Sequence, residues 1–366
     1  MAQAGSGTVA DGIGGKAAGG YAIHALDGRS QGPPLVIEAE GDPDPERLAA
    51  WLRARPDRVQ DWLAEHGALL FRGFAVHDAP AFERVARAVD DDLKNEYLGT
   101  SPRSAIAGHV FNASELPDFY PIPQHCEMSF CAHPPRRVFF CCLEPPAEGS
   151  GETPLCDFRA VWRDLHPDVR RRFEERGIRI IRNYSGPGEG EDSDPLRLKR
   201  WPEMFLTTDR AAVEAKCREE GFEPAWLPGA GLRLTSTQPV HRDHPVTGER
   251  VWHNHVTTFH LGTAVGEYRR IAALRPSERH RGLLRMAEAL EEKLRCKPAD
   301  EQSMHCTYLD GREIPDADME HVRDVVWRHM VIEPWRRGDV VAIDNHSTSH
   351  GRLPYEGPRR IAVCWA

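Results

Sequence analysis

The 366-residue chain is short of several features that mark large protein classes. It has no basic excess: 56 acidic against 47 basic residues give a formal net charge of −9. Such a chain has no surplus of cations to neutralise phosphates, so nucleic acid is not an expected partner. Its one basic run, Arg170-Arg171-Arg172, leads into Phe173-Glu174-Glu175-Arg176 in a helical pattern and reads as a solvated helix face. No apolar run is long enough to cross a bilayer, and the N-terminus has no cationic stretch leading into an apolar one. Neither a membrane span nor a secretory signal is expected. None of the nine cysteines sits in a Cys-x-x-Cys pair, and nine is odd. Reduced thiols in a cytoplasmic protein are the reading that follows. No internal repeat is visible.

What is present is the composition of a globular protein, with 40% hydrophobic and 28% charged residues. Residues 1–33 are rich in Gly, Ala and Ser without a sustained hydrophobic period and read as a flexible leader. Residues 34–366 read as one catalytic domain, with a first short strand near Leu35–Ile37. Helical spacing of Leu48, Trp51 and Leu52, then of Val59, Trp62 and Leu63, predicts two helices separated by Pro56 and stopped at Gly67. An apolar strand follows over 68–74, and Asp78 is placed to cap a helix over 79–89. Further helices are expected over 161–176, 209–220, 277–295 and 316–329. Strands are expected over 137–143, 178–182, 231–239, 250–259, 331–333, 339–343 and 359–365. On the strand over 137–143, the side chains of Cys141 and Cys142 should point to opposite faces. Strands at irregular intervals with helices between them argue against a parallel doubly wound sheet. They fit an α+β protein with an antiparallel barrel or jelly-roll core carrying helical insertions.

Two distant segments carry the chemistry. One is Gln124-His125-Cys126-Glu127-Met128. The other is Asp344-Asn345-His346-Ser347-Thr348-Ser349-His350-Gly351-Arg352, followed by Arg359-Arg360. In an extended segment residues i and i+2 project to one side, so His125 and Glu127 can reach one ion while Cys126 points away. Two imidazoles and one carboxylate with open positions form the ligand set of non-haem Fe(II) oxygenases, and His350 is the best third ligand. Competing readings exist. His241-Arg242-Asp243 is a second His-x-acid match, at the start of a turn, and His346 is an alternative to His350. His253 and His255 share one face of the strand expected over 250–259, and His260 lies at its end.

At this point the residues resemble a known family. His125-x-Glu127, Gly151-Glu152-Thr153-Pro154, Asp344-Asn345, His350-Gly351-Arg352 and Gly357-Pro358-Arg359-Arg360-Ile361 look like the taurine dioxygenase (TauD/TfdA) family of Fe(II)/2-oxoglutarate oxygenases. Gly67-Ala68-Leu69-Leu70-Phe71-Arg72-Gly73-Phe74 and Thr247-Gly248-Glu249-Arg250-Val251-Trp252 also fit. The likeness runs from about Ala50 to Ala366, and is greatest to the branch resembling syringomycin-type aspartate hydroxylases.

The resemblance implies a double-stranded β-helix (cupin-like jelly roll) core with helical insertions, and the cofactors Fe(II), 2-oxoglutarate and O₂. By position it assigns His125, Glu127 and His350 to the metal, and Thr153 and Arg360 to the distal carboxylate of 2-oxoglutarate. Arg359 is expected to face the other side of the strand. In taurine dioxygenase the position four beyond the matching arginine carries a second arginine for the sulfonate. Here it is Cys364, so taurine is not an expected substrate.

The expected reaction is hydroxylation of an unactivated C–H bond of an amino-acid-like small molecule, free or carrier-protein-bound, in secondary metabolism. Desaturation and ring closure would use the same ligands. Halogenation is disfavoured because Glu127 fills the position a halide needs. Asn112, Ser114, Gln124 and Asn254 lie near the motifs and are candidate substrate contacts. A non-catalytic metal-binding or ligand-binding jelly roll is the alternative of another class.

Overall fold

The computed structural model describes residues 16–17, 20–26, 32–188 and 199–366. Its largest sheet runs Lys16–Ala17, Tyr21–Ala25, Leu35–Ala39, Ala68–Arg72, Val340–Asp344, Arg137–Glu144, Arg360–Trp365, Val110–Asn112, Ala105–Ala107. All its pairings are antiparallel except that of Leu35–Ala39 with Ala68–Arg72. A second, four-stranded sheet runs Met330–Val331, Leu155–Asp157, Thr348–Arg352, Ile122–His125. A third holds Phe222–Trp226, Leu232–Gln238, Ile178–Tyr184 and Met304–Thr307.

The period-2 alternation of the central strands divides the interior into two layers. Phe139 and Cys141 pack with Val340, Ala342, Ala362 and Cys364 against Leu48, Trp51, Leu52, Trp62, Leu63 and Phe82 of the N-terminal helices. Val138, Phe140 and Cys142 join Ile343, Ile361, Val363 and Leu155 in the larger core, which also takes Ile180 and Leu234 from the third sheet. Cys141 and Cys142 therefore do face opposite ways. Each large apolar side chain buried in these layers contributes about 1.5–3 kcal/mol over its exposed state.

Local chemistry accounts for the element ends. Helices Pro45–Arg53 and Pro56–His66 both begin with proline, and the second stops at Gly67, whose φ is +76°. Asp78 accepts from the Ala81 N–H at 2.8 Å and caps helix Ala79–Val89.

Three expectations are overturned. Tyr21–Ala25 is a strand paired with Leu35–Ala39, with Tyr21 and Ile23 buried, so the sheet begins inside the stretch read as a leader. Much of that stretch, residues 1–15, 18–19 and 27–31, lies outside the described residues. The helix expected over 161–176 is two, Phe158–Asp164 and Pro167–Arg176, because Pro167 cannot continue the first. The strand expected over 250–259 ends at Val251; Asn254 Oδ1 then accepts from the Val256 N–H at 3.1 Å, and Val256–Phe259 is helical.

Candidate metal centre

His125 ends strand Ile122–His125 and is opposite His350 in the antiparallel pairing with Thr348–Arg352. Cross-strand register alone thus brings the two imidazoles together, 4.5 Å between ring centroids. Glu127 follows in a turn where Met128 adopts a left-handed φ of +49°. One ligand atom each from His125, Glu127 and His350 lie within 4.8 Å of one another, the one such group among the described residues. All three side chains are buried.

The surroundings prepare each group to bind a cation. His125 Nδ1 lies 2.9 Å from the Pro123 carbonyl, which only accepts, so Nδ1 carries the proton and Nε2 keeps its lone pair. Burial, then the neighbouring His350, lowers the His125 pKa to about 4, so the ring is neutral at neutral pH. Burial works against ionisation of Glu127, but Arg103, His350 and His125 hold its carboxyl well below the usual range. Arg103 Nη2 donates to Glu127 Oε2 at 2.8 Å. The Asn345 side chain accepts from the Glu127 N–H at 2.7 Å and donates to its carbonyl at 3.0 Å. Asp344 anchors the same corner through Arg137 at 2.7 Å and His244 at 2.6 Å.

The ligands open into a cavity of about 910 Å³ including its mouth, whose wall also includes Thr153, Arg352 and Arg359. Arg359 corrects the assignment made to Arg360. Its Nε donates to the Gly151 carbonyl at 2.8 Å and its Nη2 to Thr153 Oγ1 at 3.3 Å, whereas Arg360 is exposed. The two arginines do face opposite sides, as strand geometry demands. The side was misjudged: Arg359 shares parity with Ile361, Val363 and Trp365, which face the larger core, while Arg360 shares it with Ala362 and Cys364 of the helical layer. A register shift between Arg360 and Ile361 accompanies the change. With Arg359 in the cavity, the position four beyond it is Val363 rather than Cys364. Gly151 fits this corner because its φ is +62° and a Cβ would sit 2.8 Å from Tyr355 Cβ.

Burial and the nearby Arg352 charge lower the Arg359 pKa to about 10, leaving it a cation at neutral pH, and the Glu152 carboxylate that acts on it is itself paired with Arg275 at 2.7 Å. Such a group fits an incoming dianion. Neutral His125, ionised Glu127 and His350 likewise form a donor set suited to a divalent iron.

The other candidates separate. Ser114 lines the cavity. Asn112 does not; its amide donates to Ser104 Oγ at 2.7 Å. Gln124 is buried between Pro154 O at 2.9 Å and Ser349 Oγ at 2.7 Å. Asn254 donates to Val240 O at 2.9 Å and accepts from the Val256 N–H at 3.1 Å. The last three stand outside the cavity wall and make their hydrogen bonds within the protein. His241 and Asp243 approach only to 4.0 Å, and Asp243 is 68% exposed. His346 stacks near His253 and stays outside the cavity. His255 is in the wall, 5.0 Å from the His125 ring, held by Ser129 Oγ at 2.7 Å. His260 packs on His305 instead. Sequence reasoning missed Arg103, Tyr97, Thr258 and Trp335, which belong to no motif.

A two-histidine, one-carboxylate centre beside an arginine-lined cavity defines the class of non-haem Fe(II) oxygenases that use a 2-oxo acid. The model of the taurine catabolism dioxygenase TauD, TfdA family matches residues 28–365, and the chain belongs to that family. Dapdiamide synthesis protein DdaC of Enterobacter agglomerans is 29% identical over 305 residues, covering 83% of each chain. Clavaminate synthase-like protein At3g21360 of Arabidopsis thaliana is 31% identical over 317 residues, 85% of this chain and 84% of that one. Among solved structures, PvcB of Pseudomonas aeruginosa superposes with a TM-score of 0.50 at 14% identity, covering 96% and 93%. The protein is accordingly a 2-oxoglutarate-dependent oxygenase that uses Fe(II) and O₂. The non-catalytic alternative falls with that assignment.

Proposed function

We propose that this oxygenase hydroxylates an unactivated C–H bond of a small amino-acid-like substrate, free or carried on a protein, in a biosynthetic pathway. The observation that carries the reading is Glu127, which stands with both histidines as a third, anionic ligand. A metal holding all three has its halide position filled, which favours oxygen transfer over halogenation. Dapdiamide synthesis, named for one relative, supports the biosynthetic setting. The larger core, bounded by strands of the nine-stranded and second sheets, is read as a double-stranded β-helix.

His125, Glu127 and His350 would hold the iron, which with 2-oxoglutarate and O₂ supplies the oxidising power. The protein's own contribution is positional. Thr153 Oγ1 already accepts from Trp335 Nε1 at 3.1 Å and from Arg359 at 3.3 Å. A hydroxyl has two lone pairs and one proton, so its O–H remains to donate. Arg359 and that O–H together would bind the distal carboxylate of 2-oxoglutarate. Phe130, Phe140, Phe259 and Met304 line the cavity and keep water from the reacting bond. Desaturation and ring closure would employ the same residues.

The test is turnover of Fe(II)-loaded protein with 2-oxoglutarate and a panel of free and carrier-bound amino acids, read by succinate release and product mass. A gain of one oxygen atom supports hydroxylation. A loss of two hydrogens, or succinate release without substrate stimulation for every compound, would contradict it.

A further inference from the structure

Arg103 is placed to do more than steady Glu127. It comes from the irregular stretch between helix Ala79–Val89 and strand Ala105–Ala107, and its side chain is 6% exposed. The ring of Tyr97 lies 4.2 Å from the guanidinium carbon and that of Trp365 5.6 Å. Aromatic contacts engage the face of a guanidinium and leave its edges for hydrogen bonding. Of its five N–H groups, one at Nη2 serves Glu127 and the Tyr97 hydroxyl is a further hydrogen-bonding neighbour of the guanidinium, while Nε and Nη1 are buried with no partner in hydrogen-bond geometry. Buried donors of a cation without partners are costly, so the free protein pays a penalty that an incoming acceptor removes. Thr258 Oγ1, in the same cavity wall, is also buried and unpaired.

Charge balance points the same way. Among the Lys, Arg, Asp and Glu residues lining the cavity are Arg103, Arg352, Arg359 and Glu127, a sum of +2 (three cations less one anion). A divalent metal and the 2-oxoglutarate dianion cancel each other and leave that excess in place. The adjoining cavity shares Tyr97 and Arg103 but balances Arg103, Lys199 and Lys216 against Glu96, Glu115 and Glu203. Arg103 belongs to both walls; setting it aside, the metal-side cavity is still positive by one charge and the adjoining one negative by one, so the positive excess lies on the metal side, where low dielectric strengthens it.

We propose that Arg103 receives a carboxylate of the substrate beside the metal, making the substrate a carboxylic acid rather than its neutral amide. This rests on the oxygenase reading and specifies its substrate class. Arg103 is thereby a specificity-determining residue.

The test uses full-length protein loaded with Mn(II) and N-oxalylglycine, redox-inert stand-ins that also occupy Arg359. Butyrate and butyramide serve as probes of equal shape, with binding read by thermal shift and by saturation-transfer NMR. Butyrate should bind about 10- to 100-fold tighter than butyramide, the worth of a charge-assisted hydrogen bond. Arg103→Gln should erase the difference and Arg103→Lys restore part of it. A purely structural role for Arg103 would not move this acid-to-amide ratio. Equal affinity for the two probes in the wild type, or a ratio unchanged in Arg103→Gln, overturns the proposal. Absence of any stabilisation by Mn(II) with N-oxalylglycine would instead overturn the oxygenase reading and the proposal with it.

Discussion

The side chain of Asn345 holds the main chain of Glu127 from both ends, accepting from its N–H at 2.7 Å and donating to its carbonyl at 3.0 Å across 218 residues of sequence. The same amide donates to Pro135 O at 2.7 Å. The metal carboxylate sits beyond the end of its strand, so this clamp, rather than a ladder, fixes its position. Asn345→Ala strips three hydrogen bonds at once and leaves buried backbone groups unpaired. It is expected to cost about 2–4 kcal/mol of stability. Fe(II) affinity in anaerobic titration should fall about 10- to 100-fold, as when groups that orient ligands are removed.

Arg359 and Arg360 give a paired comparison. Arg359→Ala removes the cation beside Thr153 and should raise the KM for 2-oxoglutarate about 100-fold, in line with loss of a buried charge pair. Arg360→Ala removes an exposed side chain and should leave that KM within about twofold. Steady-state succinate assays over a 2-oxoglutarate range measure both.

These two arginines also show where sequence ceases to be enough. The metal triad was legible from the His-x-Glu spacing and the family motif around His350, whereas the strands whose pairing sets His125 opposite His350 were not among those expected. Which of two adjacent arginines enters the cavity depends on the face the closing strand presents, and the motif does not record it. The alternation of Val251, His253 and His255 imitates a strand, although a buried segment lacks the polar face that would separate strand from helix. Asn254 turns the chain just before the helix, its Oδ1 accepting from the Val256 N–H. Arg103 lies 24 residues before Glu127 in an irregular segment, and only tertiary folding brings it to the metal site.

Gly351 lies between His350 and Arg352 on the strand that pairs with Ile122–His125, and a Cβ there would fall 2.6 Å from Ile122 O. Gly351→Ala must push the two strands apart where they present the histidines. Weakened Fe(II) binding and a loss of about 1–3 kcal/mol in urea unfolding are expected.

The metal-free protein should lose stability as pH falls from 7 to 5. His125 has a folded pKa lowered to about 4 against an unfolded value near 6.5, so between those values the unfolded chain takes up a proton that the folded chain refuses. Its stabilising share is full above pH 6.5 and is lost progressively toward pH 4. By linkage the loss between pH 7 and 5 is about 2 kcal/mol. Urea unfolding of His125→Asn, lacking the titrating ring, should show a correspondingly flatter pH dependence than wild type.

His125, Glu127 and His350 would together hold the iron to which 2-oxoglutarate binds. The most direct test of this is the visible charge-transfer absorption of Fe(II) with 2-oxoglutarate, recorded anaerobically on wild type, His350→Ala and His241→Ala. The band should appear in the wild type and in His241→Ala and be absent in His350→Ala. A band that survives in His350→Ala and vanishes in His241→Ala would contradict the assignment.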